Sequence, residues 1–183
     1  MVLFIIGLVS GLVLPTVVGS VSELHMQGAT ERVMSACRRA RCEACGSGLT
    51  HRLNFSTEAG TYWITCETEP LAAPGVFDRI SESWGRTLTL PERIKFEEVS
   101  PDEVGTPAVA NDEDSGADAV IEFFPDGRTT GAIICLGYAD PDPDEDEPVL
   151  IRLDPATGQV EVITSEEREA VDSAIASGTA GSN

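Results

Sequence analysis

Histidine and positive charge are scarce in this 183-residue chain. His25 and His51 are the only imidazoles, which excludes a His-rich metal centre and obliges any Ser-His-Asp arrangement to use one of them. His25 falls in sequence of helical period and His51 in a candidate strand beside Arg52, neither next to a nucleophile motif. A G-x-S-x-G elbow, a G-x-x-x-x-G-K phosphate loop and a dinucleotide fingerprint are all lacking, so no enzymatic activity is expected. Twelve Lys and Arg stand against 31 Asp and Glu, a formal charge of -19. That sign repels phosphate backbones and anionic membranes, so nucleic acid is not an expected partner. At 42% hydrophobic residues the chain still has the composition of a folded protein, sized for one folding unit with appendages.

Charge is also missing from the start of the chain: nothing ionisable precedes Glu23. Met1 to Val21 reads MVLFIIGLVSGLVLPTVVGSV and as a helix would extend roughly 32 Å, enough to cross a bilayer. A cleaved signal peptide needs a basic n-region, and no Lys or Arg stands ahead of the run; a retained transmembrane helix is the expectation. Apolar or small residues continue as Val17, Val21, Leu24, Gly28, Val33, Ala36 or Cys37, and Ala40, steps of three and four that trace one helical stripe. The chain therefore reads as a rod of about forty residues, ~60 Å long, over residues 1–45, with 1–21 in the membrane. Pro15 predicts a bend near Leu12 to Pro15. Gly7 and Gly11 permit close approach of a second helix.

After Cys45 the period shortens. Leu49 to Phe55, Thr61 to Cys66, Arg86 to Leu90, Ile94 to Val99, Ala119 to Phe124, Thr130 to Leu136, Val149 to Asp154 and Val160 to Thr164 are strand candidates, several of them alternating or β-branched. Pro125-Asp126-Gly127 and Pro155-Ala156-Thr157-Gly158 signal hairpins, since Gly supplies the positive φ of a tight turn. An α+β chain follows: a long helix, then an antiparallel β domain of six to eight strands over 46–164, with a short helix expected near Val76 to Trp84. Thr164 and Glu167 have capping-box spacing and open a short C-terminal helix and tail over 165–183. Between Glu97 and Glu147, sixteen acidic residues face the single Arg128, and the run Asp140 to Pro148 reads as a solvated loop. Calcium is the one ion such carboxylates leave open, although the spacing is not an EF-hand loop and three prolines limit convergence; no cofactor is expected.

Cys37, Cys42 and Cys45 have the spacing C-x4-C-x2-C, with Cys66 and Cys135 distant. The local pattern also occurs in iron-sulfur and zinc proteins. Behind a membrane helix, the compartment is oxidising and disulfides become the default. Cys42 with Cys45 and Cys66 with Cys135 is one pairing among several, and an odd cysteine remains in any of them.

An apolar helix that turns amphipathic ahead of a small β domain resembles the type IV pilin and pseudopilin architecture. Val2 to Pro15, VLFIIGLVSGLVLP, is similar to the centre of the pilin-type helix. Ile121 to Leu136, IEFFPDGRTTGAIICL, resembles the phenylalanine, Pro-Asp-Gly and Thr-Gly hairpin of the GspH/FimT-type minor pseudopilins, here Phe124, Pro125, Asp126, Gly127, Thr130 and Gly131. Ile151 to Val162, IRLDPATGQVEV, resembles that group's closing hairpin. The resemblance implies a minor pseudopilin of the type II secretion pseudopilus, or alternatively a FimT/FimU-like minor pilin. It implies Val2, Ile5, Ile6, Gly7, Gly11, Leu14 and Pro15 as helix-packing residues, and other pseudopilins or minor pilins as partners. It also implies an inner-membrane, single-pass location with the β domain in the periplasm. An exported binding module with a conventional signal is the reading from a different class. The family's Gly-Phe junction followed by Thr-Leu-x-Glu is absent here, so a leader for prepilin peptidase is expected upstream of Met1.

Overall fold

The computed structural model describes the backbone of residues 2–101, 116–141, 147–164 and 166–167, with side chains from Glu23 onward. Helix α1 (Val2–Ser47) runs 46 residues without interruption through Pro15, on the order of 69 Å at the standard rise. It stops where Gly48 N–H closes on Ala44 O at 3.0 Å and the Ser47 hydroxyl donates to Glu43 O at 2.7 Å, which satisfies two of the carbonyls a helix end leaves open.

Nine strands follow among the described residues, in two antiparallel sheets. The first orders β3 (Asp78–Arg79), β2 (Thr61–Cys66), β1 (His51–Ser56) and β6 (Ala119–Phe123), with β4 (Leu88–Thr89) pairing farther along β2. The second orders β5 (Ile94–Pro101), β7 (Ala132–Tyr138), β8 (Val149–Leu153) and β9 (Val160–Ile163). Alternation decides which side chains go inward, because successive residues of a strand face opposite ways. Leu53 and Phe55 of β1, Tyr62 and Ile64 of β2, Ile134 and Leu136 of β7, and Ile151 and Leu153 of β8 form one core with α1. Phe55, Tyr62 and Phe96 sit at its centre, with ring centroids 5.3 to 6.3 Å apart. The far face of the second sheet carries a smaller cluster of Ile133, Cys135, Leu150 and Ile163.

Three local expectations are corrected. Val76 to Trp84 forms no α-helix: it holds the two-residue β3 and a 3-10 turn over Ser83–Gly85. The runs flanking Pro125-Asp126-Gly127 do not zip into a continuous hairpin. Phe123 and Thr129 make a single bridge, Phe124 N–H meets Arg128 O at 2.9 Å, and β6 and β7 then belong to different sheets. The turn is real, but its outgoing strand is drawn away by the richer apolar pairing of β7 with β5 and β8. Finally, the buried stripe of α1 runs through Met26, Ala29, Val33, Ala36, Cys37, Ala40 and Ala44, while Leu24 is 65% exposed. From Val33 onward the expected stripe is the buried one; before it, the side that meets the sheets is set by Met26 and Ala29.

Candidate assembly surface

The contact between helix and β domain is built from small residues. Ala29, Ala40 and Ala44 have no exposed surface and Ala36 little, so the rod lies close against both sheets, and Val33 and Met26 fill the wider gaps. Thr30 satisfies its own buried hydroxyl by donating to Met26 O at 2.9 Å, the back-bond that lets a polar residue sit on a buried helical face. Cys37 lies on the same stripe, and burial pushes its thiol pKa up to about 12, leaving it neutral and inert.

At the far end of this contact, Arg41 joins three elements. Its Nε donates to Gly127 O at 3.1 Å, and both Arg41 and Cys45 lie against Gly127, while Gly158 is pressed between Gly127 O and the Arg41 stem. A Cβ at Gly158 would come within 2.5 Å of that carbonyl and 2.7 Å of Arg41 Nε, and Gly158 has φ +62°, so both space and backbone call for glycine. The two turns are also joined directly by Thr129 N–H to Pro155 O at 3.1 Å.

Each turn is locked by its own aspartate. Asp126 accepts from Arg128 N–H at 3.0 Å and from Arg128 Nε at 2.6 Å, which holds its carboxyl below the usual range, the backbone bond acting most. Asp154 Oδ1 accepts from Thr157 N–H at 2.7 Å, the Thr157 hydroxyl at 2.8 Å and Ala156 N–H at 3.1 Å; these bonds, led by Thr157 N–H, lower its pKa likewise. Thr130 exchanges bonds with Glu122 in both directions at 3.1 Å, and Thr129 Oγ1 accepts from Gly131 N–H at 2.8 Å. Phe124, Pro125, Asp126, Gly127, Thr130 and Gly131 thus form one continuous crossing from the first sheet to the second, docked on the helix end.

Sequence patterning gave no sign of Arg41, which sits in the run Arg38, Arg39, Arg41 on what reads as a polar face. Nor did it single out the ion pair Arg52–Glu122, 2.7 Å long with side chains only 11% and 12% exposed. Those two residues are cross-strand partners of β1 and β6, and Phe77 stacks on the guanidinium with its ring centroid 3.5 Å away.

No disulfide joins the five cysteines in this structure. Cys42 and Cys45 are exposed and three residues apart on the last turns of α1, whereas Cys66 ends β2 in the first sheet and Cys135 points to the far face of the second. The fold does not bring Cys66 and Cys135 together, because the inward face of the second sheet belongs to Ile134 and Leu136. Cys135 Sγ instead donates to Glu97 Oε2 at 3.5 Å. No group of three or more metal-binding side chains is assembled among the described residues; most of the acidic run, 142–146, lies outside them. Thr164 and Glu167 close their capping box, with Thr164 N–H to Glu167 Oε2 at 2.8 Å and Glu167 N–H to Thr164 Oγ1 at 3.3 Å; residues 168–183 lie outside the description. The packing of Val2, Ile5, Ile6, Gly7, Gly11, Leu14 and Pro15 also lies outside it, and so does the reading of 1–21 as a membrane span. Among the described residues no helix is long and apolar enough to cross a membrane.

A long N-terminal helix laid by its second half across two antiparallel sheets is the α+β architecture of pilin-like proteins. The fold is shared with solved minor pseudopilins. It matches two structures of the minor pseudopilin EpsH from the type II secretion system of Vibrio cholerae. They have 13% and 12% identity and TM-scores of 0.54 and 0.55, and the match covers 76% of this chain and 97% and 94% of theirs. The type IV minor pilin FimU of Pseudomonas aeruginosa is also similar, at 12% identity with a TM-score of 0.44 over 79% of this chain and 92% of that one. No protein-family model matches the chain, and no curated protein matches its sequence.

Proposed function

We propose that the chain is a minor subunit of a pilin-like fibre, specifically of the type II secretion pseudopilus, anchored in the bacterial inner membrane with its β domain in the periplasm. One observation carries the reading: an unbroken helix joins the apolar stretch Val2–Val21 to a stripe of alanines fixed on the β domain. Such a rod transmits movement. If the apolar half leaves lipid and packs among the helices of neighbouring subunits, apolar burial passes from lipid to protein and the β domain is carried along as a rigid head. The Arg41 contact with both turns keeps that head from swinging about the helix end. In this reading the work is done by surfaces, and no catalytic group is required.

The partners are other pseudopilins, and the function is assistance to the export of folded proteins across the outer membrane. Deleting the gene tests this. The expected result is loss of one or more folded exoproteins from the medium, with accumulation in the periplasm, and restoration by the intact gene. Normal secretion together with lost surface pili would instead assign the chain to a type IV pilus, and neither phenotype would remove the fibre reading.

A further inference from the structure

One groove among the described residues of this acidic chain is lined by basic side chains. It lies between α1, the β2 and β4 edge of the first sheet and the 3-10 turn over Ser83–Gly85, with a volume of about 570 Å³. Arg32 and Arg39 line it from the helix and Arg86 from the turn, and no Asp or Glu is among its lining residues. Trp84, Leu88 and Ala36 make its apolar floor. Arg39 is already oriented: its guanidinium stacks over Trp84 with the ring centroid at 5.1 Å, and Glu43 holds it from behind at 2.7 Å. Arg32 and Arg86 have no ion-pair partner among the described residues, in a chain with 31 carboxylates to offer. The groove on the other flank of the same helix contrasts with it, being lined by Glu23, Glu31 and Glu147 with Arg38.

We propose that the Arg32, Arg39 and Arg86 groove is a docking site for a short acidic peptide segment of a partner protein, with an apolar side chain between two carboxylates. Charge complementarity selects the occupant. A membrane or a nucleic acid would have to approach through the field of a chain with formal charge -19, whereas a short segment meets only the local positive patch. Spacing selects its pattern: Arg32 and Arg39 are two helical turns apart, about 10.5 Å along the axis, and in an extended peptide positions i and i+4 share a face about 13 Å apart, a difference that the long Arg and Glu side chains take up. Carboxylates at positions i and i+4 would then reach both guanidinium groups, and an apolar side chain at i+2, on the same face, would rest on Trp84 and Leu88. The inference is independent of which fibre, if any, the chain joins.

The test is titration of the full chain, in neutral detergent, with the peptide Gly-Glu-Ser-Phe-Ser-Glu-Gly and with its glutamine counterpart, followed by Trp fluorescence and calorimetry. The acidic peptide should bind at least tenfold more tightly than the glutamine peptide, and binding should weaken as salt rises. Combined Arg32→Gln and Arg86→Gln should cost about tenfold in affinity, while Arg128→Gln, remote from the groove, changes nothing. All three arginines are exposed, so folding should survive, and unchanged circular dichroism checks that it does. Equal binding of both peptides, no binding at millimolar concentration, or indifference to the double substitution would overturn the proposal. So would preferential binding to phosphatidylserine vesicles, or self-association abolished by the double substitution, since either would give the groove to a different occupant.

Discussion

Arg41 does at the residue scale what no single strand does: it ties the helix end to two turns thirty residues apart in the chain. A hydrogen bond from a charged donor to a half-buried carbonyl is worth about 1.5 to 3 kcal/mol. Arg41→Met keeps the packed stem and removes only the bond, so it should lower unfolding stability by about 1 to 2 kcal/mol in urea titrations. Gly158→Ala should cost at least as much, about 2 kcal/mol or more, because the methyl meets Gly127 O and the backbone has to hold a positive φ. Thiol chemistry gives an independent check on burial. In the native reduced protein at pH 8, a disulfide-exchange reagent should modify Cys42 and Cys45 quickly and Cys37 only on unfolding, since burial keeps that thiol protonated with a pKa of about 12. Rapid native labelling of Cys37 would show that the helix stripe is not packed as described.

Between elements, the fit of α1 on the sheets depends on alanine. Replacing Ala40 by Leu would push the helix off the core and should cost about 1 to 3 kcal/mol, whereas the same change at exposed Ser35 should be nearly neutral; paired thermal melts distinguish them. The turns add a pH dependence with a definite sign. Asp126 and Asp154 have folded-state pKa values below 3.8, so their contribution is complete above about pH 4 and is lost as pH falls through the folded values. Acidification also relieves the self-repulsion of a strongly anionic chain, so the informative quantity is a difference. The gap in melting temperature between the native chain and Asp154→Asn should shrink from pH 5 to pH 3. A gap that widens would contradict the hydrogen-bonded aspartate.

At this scale, too, the limits of sequence reading become physical. Thr61 to Cys66 is a strand with the bounds its β-branched and aromatic residues suggest, and the Asp154 turn joins β8 to β9 as its glycine demands. Two-residue strands such as β3 and β4 contain too few residues to show any period. Pro125-Asp126-Gly127 fixes a turn but says nothing about which sheet the next strand joins, because that depends on long-range pairing. Two apolar stripes overlap near the middle of α1, one through Leu24 and Gly28 and one through Met26 and Ala29, and only the position of the sheets decides between them. For the same reason the spacing of Cys66 and Cys135 could not reveal that alternation turns Cys135 away from the first sheet.

For the whole molecule, the structure joins one long helix to a two-sheet head in a chain of formal charge -19, with an arginine-lined groove between helix and head. Removing the buried pair as a unit tests how tightly the head is built. Arg52→Met alone should destabilise by about 3 kcal/mol or more, because Glu122 is left without its partner. Arg52→Met with Glu122→Leu should recover most of that loss in the same denaturation assay, since an apolar pair of similar volume needs no counter-charge. The central claim, that the apolar start of α1 and its alanine stripe are one helix kept in the working protein, is tested most directly by mass spectrometry of the chain recovered from host membranes. The account predicts peptides spanning Val2 to Val21 still joined to the β domain; a mature N-terminus at Ser20 to Ser22 in the recovered chain would contradict it.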